Sequence, residues 1–134
     1  MKSSILAPST AALLETTSVR LEEACNVQSK LIVEADNQLA ELLCRAGMAR
    51  PLPELVVQQS NPKIVMSVRY AGGGWRVGVD IRSDNPNNLN QQSLLLTDLD
   101  VELSSKVLPR LDEYACLLAQ AMRKVAEQVE EQIR

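Results

Sequence analysis

Four basic and two aromatic residues lie close together in the chain between residues 63 and 82. The basic residues are Lys63, Arg69, Arg76 and Arg82, and the aromatic residues are Tyr70 and Trp75. Basic side chains bind phosphates and carboxylates through charge-assisted hydrogen bonds, and aromatic rings can stack on bases. These six residues are therefore the candidate binding surface, either for a protein partner or for an anion.

The segment that carries these residues has the pattern of a β-hairpin. Apolar and polar residues alternate on both sides of three glycines at 72–74, which supply the positive φ angles that a tight turn needs. Pairing Tyr70 with Trp75 sets the register and places the apolar side chains on one face. On the other face like charges lie opposite each other, namely Arg69 with Arg76 and Lys63 with Arg82.

Like charges directly opposite each other destabilise a sheet, so this pattern predicts neutralising groups. Residues 95–103 alternate apolar side chains with Asp98, Asp100 and Glu102, which predicts a third strand with one acidic face. Two interpretations stay open. The acidic strand pairs beside the hairpin and cancels its arginines, or the basic face is available to the anionic groups of a partner.

Two helices are predicted to flank this sheet. Residues 9–48 form the first, capped by Ser9 or Thr10 and ended by Gly47 with the prolines that follow, and residues 105–134 form the second. Both carry residues at alternating spacings of four and three, which is the pattern of a helical seam. In the first helix these are Leu14, Ser18, Leu21, Cys25, Gln28, Ile32, Ala35, Leu39, Leu42 and Ala46. We expect the helices to pack along these seams, within one chain or across a dimer.

The fold predicted from these elements is of the α+β class, in a single domain that spans residues 1–134. It has a long N-terminal helix, an antiparallel hairpin or three-stranded meander at 63–103, and a long C-terminal helix packed on the first. Residues 55–57 are compatible with a short edge strand, and residues 83–90 are rich in turn-forming residues. The aromatic content of 2% favours a core of Leu, Val, Ile and Ala.

The residue types indicate no enzymatic chemistry. The chain has no histidine, the commonest general base and transition-metal ligand. Its three cysteines lack Cys-x-x-Cys spacing and are predicted to be reduced thiols. We therefore predict a non-enzyme, with no catalytic residue, metal site or cofactor.

The charge and hydropathy bound the function further. A net charge of −3 gives no general attraction to nucleic acid, and the sequence has neither an export signal nor a membrane span, which predicts a cytoplasmic protein. The expected function is a protein-interaction module, such as an assembly factor, chaperone, inhibitor or complex subunit. It would bind a protein partner or a second copy through its helical seams and sheet edge. The alternative is nucleic-acid binding, as a dimer, through the basic face of the 63–82 hairpin.

Overall fold

A long helix, four strands and a C-terminal helical region follow one another in the computed structural model, which describes residues 5–60, 62–83 and 91–134. The predicted α+β class is confirmed. The elements are α1 (Pro8–Leu42), a 3-10 turn (Ala46–Ala49), β1 (Leu55–Gln58), β2 (Lys63–Ala71), β3 (Gly74–Arg82), β4 (Gln92–Leu95), a second 3-10 turn (Leu96–Asp98), α2 (Val101–Val107), a third 3-10 turn (Leu108–Arg110) and α3 (Leu111–Gln132). Of the predicted loop at 83–90, residues 84–90 lie outside the described part of the chain.

The four strands form one antiparallel sheet in the order β1-β2-β3-β4. The predicted hairpin register is confirmed: Tyr70 pairs with Trp75, and Arg69 lies opposite Arg76. Gly72 and Gly73 close the turn with φ angles of 62° and 81°, which favour glycine. The suggested edge strand at 55–57 is also present, as β1, and it pairs with the start of β2.

The predicted third strand at 95–103 is wrong, because β4 ends at Leu95 and helical turns follow it. The carboxylate of Asp100 accepts a hydrogen bond from the backbone N–H of Leu103 at 2.8 Å and thereby caps α2. Asp98 accepts one from the N–H of Leu95, and Glu102 pairs with Lys106 one turn further on. Acidic residues are favourable at the N-terminus of a helix as well as on the outer face of a strand. The alternation of apolar and acidic residues in this segment therefore does not distinguish a strand from the start of a helix.

The ends of the first helix also differ from the prediction. It begins at Pro8, whose missing N–H is no loss at the first helical position, and neither Ser9 nor Thr10 caps it. It ends at Leu42, and the predicted end at residue 48 lies within the 3-10 turn at Ala46–Ala49.

The core lies between the apolar face of the hairpin and the helices. Ile64, Met66, Val77 and Val79 of the hairpin are buried with Ile32 and Leu43 of α1, Leu96, Val107, and Leu111, Tyr114 and Leu118 of α3. The hydroxyl of Tyr114 donates a hydrogen bond to the carbonyl of Pro53 at 2.8 Å, and burial raises the pKa of this side chain. The segment before β1 and the shared core therefore hold α3 in place, and α3 runs beside the second half of α1.

Candidate functional site

The basic face of the hairpin is organised around Asp80 on β3. Arg69 reaches across β3 to place Nη2 2.6 Å from Oδ1 of Asp80. It crosses the strand at Gly78, where a Cβ atom would overlap Nε of Arg69. Glycine at this position thus leaves room for the Arg69 side chain to pass over the strand.

Asp80 also contacts groups of the neighbouring strand β4 and of its own strand. Ser93 of β4 donates a hydrogen bond to Oδ1 at 2.9 Å, and Nη2 of Arg82 lies 3.5 Å from Oδ2. Burial acts to raise the pKa of Asp80, but the hydrogen bonds from Ser93 and Arg69 and the nearby positive charges outweigh it and hold the pKa below its usual value. Asp80 is therefore the ionised centre of this face.

The remaining arginines turn to other carboxylates. Nη1 of Arg76 lies 3.7 Å from Oδ2 of Asp36, which sits on α1 and is 3% exposed. Arg82 also approaches Glu54 at 3.6 Å. Acidic groups of this chain neutralise the hairpin, as one of the two interpretations requires, but they come from β3, α1 and the segment before β1 instead of from residues 95–103.

The four predicted basic residues have different partners and lie in different surroundings. Arg69 points along the sheet and Arg76 points to the long helix, although the two are cross-strand neighbours. Lys63 begins β2 opposite Arg82, and within the described residues it makes no ion pair. The basic face is a series of partly satisfied ion pairs, and not one continuous cationic surface.

The two aromatic residues form a cluster at the tip of the hairpin. The rings of Tyr70 and Trp75 meet edge to face with centroids 5.4 Å apart, and the guanidinium carbon of Arg50 lies 4.3 Å from the centroid of the Trp75 ring. Gly47 lies close against the indole. This cluster fixes the turn after α1 to the sheet, which is a structural role for Trp75 that the sequence did not reveal.

A second surface, which was not among the predicted site residues, lies between α1 and α3. We call it the groove. It is made of two adjoining clefts of about 490 and 570 Å³ that share Leu39, Leu42 and Ala115. The linings are mostly apolar and comprise Leu31, Glu34, Ala35, Gln38, Leu39, Leu42 and Leu43 on one side and Leu108, Leu111, Asp112, Ala115, Leu118, Ala119, Met122, Arg123 and Ala126 on the other.

The groove is open because the two long helices pack chiefly on other elements. Helix α1 contacts β3 and the 3-10 turn at Leu96–Asp98, whereas α3 contacts the 3-10 turn at Ala46–Ala49. The two helices run in the same direction, since Leu31 lies near Leu108 at one end and Leu43 lies near Leu118 at the other. A parallel pair of apolar helix faces with an open cleft between them can accept a third helix.

An apolar stripe follows α1 along the side that faces the groove. Its members are spaced alternately by three and four residues: Leu14, Thr17, Leu21, Ala24, Gln28, Leu31, Ala35, Gln38 and Leu42. In the first half Leu14 and Leu21 are 54% and 61% exposed, and in the second half Leu42 is 65% exposed. We call this row the α1 stripe.

The first half of α1 has no neighbour in the described chain. Every residue from 8 to 24 is exposed, and the first side chain that is even partly covered is that of Cys25. Packing begins at Gln28, whose amide donates a hydrogen bond to Ser105 of α2 at 3.0 Å. At the rise of an α-helix, residues 8–24 extend about 25 Å beyond the packed part of the molecule.

The α1 stripe and the groove could have been found in part from the sequence. Leu14, Leu21 and Leu42 belong both to the predicted seam and to the α1 stripe. The alternate positions of that seam, which include Ile32, face the core instead. A second series, offset by one residue and passing through Leu31, carries the α1 stripe. Two overlapping heptad series mark a helix with apolar neighbours on two sides, and this signal is present in the sequence of α1.

Comparisons with other proteins add no functional information, since no family model, no curated protein and no solved structure matches the chain. Within residues 5–60, 62–83 and 91–134, no three or more His, Cys, Asp or Glu side chains are grouped so that they could hold a metal ion. No helix in that part of the chain is both long and apolar enough to cross a membrane.

Proposed function

We propose that this protein is a non-enzymatic interaction module that binds an amphipathic helix in the groove between α1 and α3. The observation that carries the proposal is the coexistence of an open apolar groove with seventeen exposed helical residues at 8–24. Contiguous exposed apolar surface of this kind is uncommon unless a partner covers it. A helix in a groove is one of the recurring ways in which proteins bind peptides.

The lining of the groove supports a helix better than a small polar ligand. Side chains that point into it are mostly Leu, Ala and Met, with Glu34 and Asp112 at one end and Arg123 at the other. Polar groups converge on the ligand in a typical small-molecule site, whereas here the charged groups lie at the ends of an apolar channel. A partner helix with apolar residues at helical spacing would match this arrangement.

The alternative, nucleic-acid binding through the hairpin, receives less support from the geometry. Arg69, Arg76 and Arg82 each lie within 4 Å of a carboxylate of this chain. A phosphate would have to displace or share these pairs, and each displaced pair subtracts from the affinity. The face of the Trp75 ring is already covered by the guanidinium of Arg50, so a base that stacked there would have to displace it.

Photo-crosslinking from the groove tests the proposal. A photoreactive amino acid in place of Leu42 should form adducts with one defined helical segment, identified by mass spectrometry, in cells that make the protein. Val33 is the matched control, because it is also an exposed apolar residue of α1 but lies half a turn away around the helix. Ala119→Glu, which places a charge in the groove, should abolish the adducts formed from position 42.

Two results would contradict the proposal. The first is an identical set of adducts from positions 33 and 42, since that would reflect general exposure and no docking site. The second is a set of adducts from position 42 that persists unchanged in the Ala119→Glu variant.

A further inference from the structure

The exposed half of α1 has weak support of its own. Ala7 at its N-cap makes no side-chain hydrogen bond, and the first turn has no acidic residue. Residues 16–18, Thr-Thr-Ser, have low helix propensity. An uncovered helix of about this length is marginally stable in water, so its leucines need a neighbour.

The groove of this same protein has the features that such a neighbour needs. The groove continues into the cleft between Met48 and Val129, which shares Met122 and Ala126 with it. The exposed half of α1 carries the first half of the α1 stripe, while Leu31, Ala35 and Leu42 of the second half line the groove. The chain thus contains both a helical segment with exposed leucines and an apolar groove, but residues 8–24 extend away from their own groove.

We propose that the occupant of the groove is a second copy of this chain. Residues 8–24 of each copy lie antiparallel to the second half of α1 in the other copy and contact its α3. This inference rests on the proposed function and names the partner. The contact is the same in both directions, so two copies bury both exposed segments and both grooves and the assembly closes as a two-fold dimer.

The order of charges selects the antiparallel direction. Arg20 is the one basic residue within 8–24 and lies beside the α1 stripe, whereas the acidic residues of this segment, Glu15, Glu22 and Glu23, lie on the other side of the helix. The groove has Glu34 and Asp112 at one end and Arg123 at the other. In the antiparallel direction Arg20 faces the acidic end, whereas a parallel arrangement would bring it toward Arg123. Arg20 and Glu34 also lie on the same flank of the α1 stripe, seven residues either side of Val27. A two-fold axis near Val27 therefore pairs Arg20 with Glu34 twice.

A disulfide between α1 helices tests this arrangement. Residues 14 and 42 are about 42 Å apart along one helix, so cysteines at these positions can bridge only between copies. In a background with Cys25→Ala, Cys44→Ser and Cys116→Ser, the Leu14→Cys/Leu42→Cys variant should give a covalent dimer on mild oxidation. Each single variant should stay mostly uncrosslinked. Efficient crosslinking of the single variants, or none of the double variant, would overturn the antiparallel dimer.

Charge reversal gives a second test that adds no cysteine. Arg20→Glu and Glu34→Arg should each weaken dimerisation about tenfold, because each change places like charges together at both symmetric contacts. The Arg20→Glu/Glu34→Arg double variant should recover most of the loss, as measured by analytical ultracentrifugation. A double variant that dimerises no better than the worse single variant would exclude this pairing.

The same experiments separate failure of this inference from failure of the proposed function. If the wild-type chain sediments as a monomer over the accessible concentration range, the second copy is not the occupant. If position 42 then forms adducts with a different protein, the groove is still a helix-binding site and only the dimer is excluded. If position 42 forms no adducts either, both the dimer and the helix-binding groove are excluded.

Discussion

Gly47→Ala is expected to lower the free energy of unfolding by about 1–3 kcal/mol, the usual cost of an overpacked contact. A Cβ atom at this position would lie 2.7 Å from Cζ2 and 2.8 Å from Nε1 of Trp75, closer than such atoms approach in folded proteins. A shift of the indole would disturb its contacts with the Arg50 guanidinium and with the Tyr70 ring. Either the ring or the turn after α1 must therefore shift.

Urea unfolding followed by the fluorescence of Trp75, the single tryptophan, measures this loss directly. Gly74→Ala is the matched control, since a Cβ atom there would meet no atom within 4 Å, and we expect a change within about 0.5 kcal/mol. The close contact also predicts that Gly47→Ala has little additional effect once Trp75 is replaced by leucine. Equal losses in the Gly47 and Gly74 variants would contradict the role given to this contact.

Arg76→Met is expected to lower the free energy of unfolding by about 2 kcal/mol. Its partner Asp36 is buried, and within the described residues Oδ1 of Asp36 has no hydrogen-bond donor. Removing the arginine leaves a buried carboxylate without a cation, which typically costs about 3–5 kcal/mol for a fully buried pair. The loss is smaller here because the Arg76 side chain is about one third exposed to solvent.

Two further variants separate the buried charge from general effects. Arg82→Met should cost less than about 1 kcal/mol, because Asp80 keeps Arg69 and because Glu54 is half exposed. Adding Asp36→Leu to Arg76→Met should restore stability to at least that of the wild type, since an apolar side chain needs no cation. Thermal unfolding of the three variants and the wild type at one pH measures these differences in stability. The claim fails if the Asp36→Leu/Arg76→Met variant is no more stable than Arg76→Met.

The hairpin could be derived from the sequence residue by residue. A period of two on both sides of the glycines at 72–74 leaves one register that keeps Ile64, Met66, Val77 and Val79 on the same face, and the structure has that register. Local pattern is sufficient here because a hairpin pairs residues that are near each other in the chain.

The partners of the basic residues could not be derived in the same way. Asp80 was visible beside the arginines, but its role depends on a side chain that crosses the strand at Gly78. Asp36 lies forty residues before Arg76 and is brought to it only by the packing of α1 on the sheet. Residues 95–103 offered a nearer set of carboxylates, yet Asp100 is used to cap α2. Tertiary packing, and not alternation, decides between these uses.

The groove was the harder feature to anticipate. The sequence predicts two long apolar seams, and the simplest expectation is that they cover each other. The structure instead packs the Ile32 side of α1 and the Leu111 side of α3 against the sheet, so the α1 stripe remains exposed over residues 8–24. Which side of a doubly apolar helix meets the core depends on the length and angle of the other elements, and these are not encoded locally.

Hydrogen exchange of the backbone amides at residues 8–24 tests the central claim most directly. If a second chain covers this half of α1, its amides are protected at high protein concentration. They should exchange faster on dilution or in the Leu21→Asp variant, while those of β2 and β3 keep their protection. Rapid exchange of residues 8–24 at every concentration would show that nothing covers them in solution. Protection that neither dilution nor Leu21→Asp reduces would also contradict the account, because the segment would then be held within a single chain.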